Sequence, residues 1–135
     1  MTYLLDTNTC IQYLALRSSL IVNRVATIER SEIALCDVVK AELYYGAYKS
    51  NRRDNNLTLF ENFFREFVSL PFDARAAKIY GLLRSELELR GTPIDPYDLQ
   101  IAAIALANNL ILVTHNTREF NRVDGLQFED WEMEI

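Results

Sequence analysis

Tyr3-Leu4-Leu5-Asp6-Thr7-Asn8 opens the chain with a short apolar run that breaks into three polar residues able to cap a helix. The run reads as a buried strand. Apolar residues at helical spacing follow it through Ile11, Leu14 and Leu16, so the first unit is strand then helix. A second helix is expected over Leu20–Ile28 and a second strand over Glu32–Leu35, after which Asp37 can cap a helix running to about Lys49. The polar segment Ser50–Asn56 reads as a loop, Leu57–Phe67 as an amphipathic helix and Val68–Pro71 as a third strand. Asp73 caps a helix over Ala74–Arg90 that Gly91 stops. Asp95-Pro96-Tyr97-Asp98 then opens the apolar helix Leu99–Leu110, with Asp95 as cap and Pro96 in the first turn, where its missing N–H costs nothing. Ile111–Thr114 is a fourth strand, Thr117–Phe120 a helical turn and Leu126–Glu129 a last short strand. Strands alternating with helices imply an α/β fold with a mainly parallel sheet covered on both faces.

The 135 residues, half of them hydrophobic and about a quarter charged, suit a single domain over residues 1–135. No repeat, low-complexity segment or linker interrupts them. No apolar run approaches membrane-spanning length, and Met1 leads straight into a strand without a basic or cleavable segment. Cys10 and Cys36 lie in apolar surroundings without metal-type spacing and read as core thiols of a reducing compartment. The expected location is cytoplasmic, with no membrane partner. A net charge of −5 argues against a passive nucleic-acid binder held by bulk attraction, though not against an enzyme acting on nucleic acid. Lys49, Arg52 and Arg53 form the best local basic cluster, with Arg17, Arg84 and Arg90 scattered elsewhere.

Four acids sit where a charge is hard to place without a cation. Asp6 ends the first strand, and Glu42 lies inside the apolar helical stretch Val38–Tyr45. Asp98 opens the long apolar helix, and Glu119 follows the fourth strand. Charges kept in apolar surroundings are usually paired or coordinate a metal, and a hard divalent cation held by oxygens would satisfy such a group. In parallel α/β sheets functional groups collect beyond the carboxyl ends of strands, where Asp6 and the Thr114–Glu119 segment both fall. Each acid also has a plainer reading. Asp6 can cap the first helix, although Thr7 and Asn8 can cap too and leave Asp6 free to face a cleft. Glu42 can be partly exposed, but a surface position would interrupt an apolar stripe. Asp98 falls at the third helical position, where a carboxylate favours the helix dipole and can reach back to the cap N–H. Glu119 can be a solvated acid of a helical turn.

Other chemistries lack their residues. His115 is the only histidine, which excludes a His-rich zinc site and leaves Ser/His/acid catalysis without a motif. Four glycines form no phosphate loop. A phosphoacceptor receiver domain would need a late lysine, and none follows Lys78; a haloacid-dehalogenase-type phosphatase would want Asp at position 8, where Asn8 stands. The aromatics Tyr44, Tyr45, Tyr48, Phe60, Phe63, Phe64 and Phe67 follow helical spacing and read as packing or a dimer face, with Tyr97 beside Asp98 the exception.

Four segments taken together resemble a known family. Tyr3–Asn8, Ala41-Glu42-Leu43-Tyr44-Tyr45-Gly46, Gly91–Ile94 with Asp98-Leu99-Gln100-Ile101-Ala102-Ala103, and Leu112–Phe120 look like the successive motifs of PIN domains, and most resemble the VapC toxins of bacterial VapBC toxin–antitoxin pairs. Each motif is loose; four in order at family-like spacing are specific. The resemblance implies a three-layer α/β/α sandwich and a Mg²⁺- or Mn²⁺-dependent endoribonuclease acting on structured RNA such as tRNA. It also implies a toxin–antitoxin complex with a small VapB-like antitoxin, while the aromatic-rich stretch Tyr44–Phe67 is what points to a homodimer. Asp6, Glu42 and Asp98 match three family acids as catalytic metal ligands, with Thr114, Asn116 and Glu119 as auxiliary groups. The chain departs at Asn116, where many relatives carry Asp. Either Asn116 serves as a neutral ligand through water or Glu119 supplies the charge. The rival reading is a PIN-like scaffold that binds RNA or protein without cutting.

Overall fold

β1 (Tyr3–Leu5), β2 (Ile33–Cys36), β3 (Val68–Leu70), β4 (Ile111–Val113) and β5 (Phe128–Glu129) build one sheet in the order β3-β2-β1-β4-β5. Every pairing is parallel, with Tyr3 opposite Ile33 on one side and Ile111 on the other. The computed structural model describes residues 1–133; the last two of the expected single unit, 134 and 135, lie outside them.

The helices between strands are α1 (Thr7–Leu14), α2 (Ser19–Thr27), α3 (Asp37–Lys49), α4 (Arg53–Phe64), α5 (Ala74–Leu89), α6 (Pro96–Ala107) and α7 (Thr117–Phe120). The chain steps from β1 to β2 to β3 in one direction and returns to β4 and β5 on the far side of β1. Right-handed crossovers therefore put α1–α4 on one face and α5–α7 on the other. The packing agrees: α1 meets α2 and α3, α3 meets α4, and α5 packs along α6. This is the expected α/β/α sandwich. No described helix is long and apolar enough to cross a membrane.

Burial explains the strand sequences. All four residues of β2 are buried, as a strand covered on both faces requires, while Val68 on the edge strand β3 is exposed. Helix α6 is apolar nearly all round, with Leu99, Ile101, Ala102, Ala103, Ile104, Ala105 and Ala107 buried, so it forms an inner element of the core. Its three large fully buried side chains, Leu99, Ile101 and Ile104, each contribute about 1.5–3 kcal/mol. The free thiols of Cys10 and Cys36 are buried in the same core.

Several elements differ from the sequence reading, each for a local reason. Leu16 lies outside α1, 74% exposed at φ 54°, where it ends the helix: Leu16 N–H donates to the Tyr13 carbonyl and Arg17 N–H to that of Gln12. Gly91 at φ 73° ends α5 by the same pair of bonds, with a residue suited to it. Asp37 is the first residue of α3 rather than its cap; its carboxylate accepts from the Ser69 hydroxyl at 2.7 Å. Arg53–Asn56 belong to α4, not to a loop, so the connection after α3 is only Ser50-Asn51-Arg52. Most of the aromatic stretch lies in the chain's own core, with Phe63, Phe64 and Phe67 buried and Tyr44 edge-on to Phe64 at 5.3 Å. Tyr45 and Tyr48 remain exposed.

Candidate active site

The chain reverses its direction of travel across the sheet between β1 and β4, which makes their carboxyl ends the topological switch point. The two ends are laced together. The Val113 carbonyl accepts from Asp6 N–H at 3.1 Å and from the Thr9 hydroxyl at 3.2 Å.

Asp6 sits at this junction, 4% exposed. It is the N-cap of α1, one carboxylate oxygen accepting from Thr9 N–H at 2.9 Å. Thr7 and Asn8 do not relieve it of that task, contrary to the sequence expectation; Asp6 caps with one oxygen and faces the site as well. Burial raises its pKa, and nearby Asp130 adds to the rise, while hydrogen bonds from Thr114 and Thr9 act to hold the charge. Thr114 is fully buried, and its hydroxyl oxygen also accepts from Asn116 N–H at 3.0 Å, which ties the β4 end to the start of α7.

Glu42 projects from the second turn of α3 and is half-buried. The Thr7 hydroxyl donates to its carboxylate at 2.6 Å, so the first turn of α1 sets its direction. Asp98 comes from the first turn of α6. Asp95 alone performs the capping there, accepting from Tyr97 N–H and Asp98 N–H at 3.1 Å each. The capping-box contact foreseen for Asp98 is taken by another residue: Asp95 N–H donates to Glu119 at 3.1 Å. Asp98 is therefore spared that role, and its carboxyl is pushed up to about 7, first by burial and then by the negative charges of Asp95, Glu119, Asp6 and Glu42. Asp6, Glu42 and Glu119 thus all lie near enough to Asp98 to act on its charge.

Glu119 and Asn116 are joined. The other Glu119 oxygen accepts from the Asn116 side-chain amide, so the carboxylate braces the entrances of α6 and α7 against each other. The two candidates for the fourth position are thus partners within one contact.

Two groups at this edge were not singled out as site residues by sequence reasoning. Asp130 follows β5 directly, the placement that drew attention to Asp6, and accepts from or shares a proton with His115 Nδ1 at 2.9 Å. Glu132 lies 3.4 Å from the same nitrogen. Among the described residues, His115, Asp130 and Glu132 form the one trio whose ligating atoms all approach within 4.8 Å; Asp6, Glu42 and Asp98 are spread more widely. The sets differ in their partners. In the trio, Asp130 and Glu132 already face the His115 ring, and the Asp130 hydrogen bond raises the His115 pKa. Asp6, Glu42 and Asp98 enter no ion pair among the described residues. Three carboxylates, −3 in total when ionised, without a protein cation suit a hard divalent ion, and a wider spacing suits one that retains several waters.

A PIN-domain profile matches residues 3–126. The chain belongs to the PIN-domain family. The "tRNA(fMet)-specific endonuclease VapC" of Shigella flexneri is 39% identical over 131 residues, 97% of this chain and 98% of that protein. "Ribonuclease VapC2" of Rickettsia felis is 36% identical over 133 residues, 98% and 99% of the two chains. The fold agrees as closely: a chain of the DNA-bound VapBC structure from Salmonella typhimurium superposes with a TM-score of 0.92 at 38% identity, covering 97% of this chain and 98% of that one. The PIN and VapC resemblance drawn from the motifs is borne out over nearly the full length.

Proposed function

We propose that this PIN-domain protein is a metal-dependent endoribonuclease of a toxin–antitoxin pair, with Asp6, Glu42 and Asp98 as its catalytic carboxylates. The observation that carries the reading is the set of three acids without a protein cation, placed beyond β1 and β4 on elements that other residues hold in position. Mg²⁺, or Mn²⁺ in its place, is the expected ion; when bound it would supply Lewis-acid polarisation of the phosphate and a more acidic water for in-line attack.

The chain's own residues orient that chemistry. Thr7 fixes the Glu42 carboxylate, and hydrogen bonds from Thr9 and Thr114 offset part of the cost that burial puts on the Asp6 charge. Asp95 takes over the helix cap so that Asp98 is not consumed by it, and the Asn116–Glu119 brace keeps α6 and α7 at a fixed entrance. Asn116 and Glu119 act as supports rather than ligands. Structured RNA such as tRNA is the proposed substrate, on the strength of the relative named as tRNA(fMet)-specific. A small VapB-like antitoxin and a homodimer complete the assembly, supported by the VapBC complexes of similar fold. Exposed Leu82 and Leu89 on α5 offer apolar surface for such contacts.

Incubating the purified chain with tRNA in Mg²⁺, in EDTA and as the Asp98→Asn variant tests the reading. Cleavage in the first condition alone is expected. Equal cleavage by Asp98→Asn would return Asp98 to a helix-dipole role, and binding without cleavage under any metal would leave the non-catalytic scaffold.

A further inference from the structure

Beyond Glu42, helix α3 continues toward its carboxyl end with an open face. Glu42, Tyr45, Gly46 and Lys49 stand at i, i+3, i+4 and i+7 and so share one side of the helix. Tyr45 is 66% exposed, and a Cβ built on Gly46 would meet nothing within 4 Å, so nothing in the described chain covers this side. Lys49 reaches back to place its ammonium 5.4 Å from the Tyr45 ring centre. At the helix end the pattern repeats: Arg53 lies over exposed Tyr48 at 5.9 Å and is steadied by the Tyr48 carbonyl at 3.3 Å. Arg52 and Arg53 line an open depression there together with Ser50, Asn51, Asn55 and one acid, Asp54. Lys49, Arg52 and Arg53 enter no ion pair among the described residues. A net-acidic protein thus keeps a row of alternating aromatic rings and unneutralised cations that starts at a proposed catalytic acid.

We propose that this face of α3 is the track for a single-stranded stretch of the RNA substrate, Tyr45 stacking on a base near the cut while Lys49 and Arg53 hold phosphates further along. The inference rests on the nuclease reading above and deepens it. Rings that offer a stacking face, with cations beside them, are the means by which proteins hold unpaired nucleotides, and paired bases cannot use them. The seven steps from Glu42 to Lys49 advance about 10 Å along the helix, a length that about three stacked nucleotides span. The track therefore selects loops or ends of a structured RNA rather than its stems.

Binding and cutting separate in the test. Fluorescence anisotropy of a fluorescein-labelled RNA stem–loop, in EDTA so that nothing is cut, reads binding by the full chain. Tyr45→Ala is expected to weaken it about 10-fold and Tyr45→Leu nearly as much, while Tyr45→Phe binds like wild type. Lys49→Ala should lower the slope of log affinity against log salt by about 0.7. Binding of a blunt RNA duplex should ignore Tyr45, and cleavage by Tyr45→Ala in Mn²⁺ should show a raised KM with kcat kept. Wild-type affinity in Tyr45→Ala would overturn the track. So would full rescue by leucine, or a binding loss that accompanies a change from dimer to monomer in sedimentation, which would make the face a contact between copies of the chain. A wild-type protein that cuts no RNA in Mg²⁺ or Mn²⁺ would sink the nuclease reading instead, and the EDTA binding series would still decide the role of Tyr45.

Discussion

Replacing Asp6 separates the two tasks this residue performs. One oxygen caps α1 through Thr9 N–H at 2.9 Å, and the carboxylate as a whole is the metal ligand proposed beside Glu42 and Asp98. Asparagine caps as well as aspartate does, whereas alanine forfeits about 1 kcal/mol. In EDTA, Asp6→Asn should therefore melt about 3–5 °C above Asp6→Ala. It should also melt no lower than wild type, because it removes a charge that burial disfavours. Metal reverses the ranking against wild type. At Mn²⁺ one hundred times its dissociation constant, wild type should gain about 2.7 kcal/mol, or roughly 8–13 °C in a domain of this size. If losing the ligand charge weakens binding about 100-fold, as far as losing a mere supporting residue can, the Asp6→Asn gain at the same Mn²⁺ falls to about 0.4 kcal/mol. Differential scanning calorimetry with and without Mn²⁺ measures both contrasts. An Asp6→Asn protein that gains as many degrees from Mn²⁺ as wild type would refute the argument that Asp6 is a ligand.

Five further outcomes are expected. The Asp98 carboxyl, at about 7 in the folded chain against an ordinary value of 3.8, holds a proton that the unfolded chain has released. The Asp98 contribution to metal-free stability should thus be fully present below about pH 4, fall as pH rises from about 4 to 7 and then level off, which chemical denaturation of wild type against Asp98→Asn across pH will show. Mn²⁺ must displace the same proton, so its affinity in calorimetric titration should climb to about pH 7 and flatten above. Thr7→Val leaves the Glu42 carboxylate without its donor and should lower metal affinity about 10-fold in that titration. Glu119→Gln should slow RNA cleavage and loosen the α6 entrance while leaving Mn²⁺ affinity within a few-fold of wild type; a loss as deep as that of Asp6→Asn would make Glu119 a ligand. Leu16→Gly, at a helix end held at φ 54°, should raise stability by about 1 kcal/mol in a thermal melt.

Much of the architecture was legible because local signals and burial agree. The helix beginning Asp95-Pro96 announced its cap, its first turn and its all-round burial in one stretch, and Asp73 with Gly91 bounded α5 at both ends. Where the reading slipped, tertiary contacts overrode local preference. Polar Arg53–Asn56 gave no apolar period, yet they extend α4. Asp37 looked like a cap and instead meets Ser69 in the neighbouring strand β3. Within the site, the strand-then-acid pattern pointed to Asp6 and Glu119, and the opening of the apolar helix to Asp98, but neither could say which acid serves which hydrogen bond. That Glu119 takes the Asp95 N–H, and so leaves Asp98 unengaged by the cap, depends on residues 24 positions apart. Asp130 carried the same strand-end signal as Asp6, following the expected last strand Leu126–Glu129 directly, and was not singled out.

The central claim is that Asp6, Glu42 and Asp98 hold the catalytic cation, although His115, Asp130 and Glu132 stand closer together. Anomalous diffraction from crystals grown in Mn²⁺ separates the two sets in one measurement. The account predicts a manganese peak among Asp6, Glu42 and Asp98, with at least one carboxylate oxygen about 2.1 Å away and waters filling the remaining positions. A peak confined to His115, Asp130 and Glu132 would contradict it.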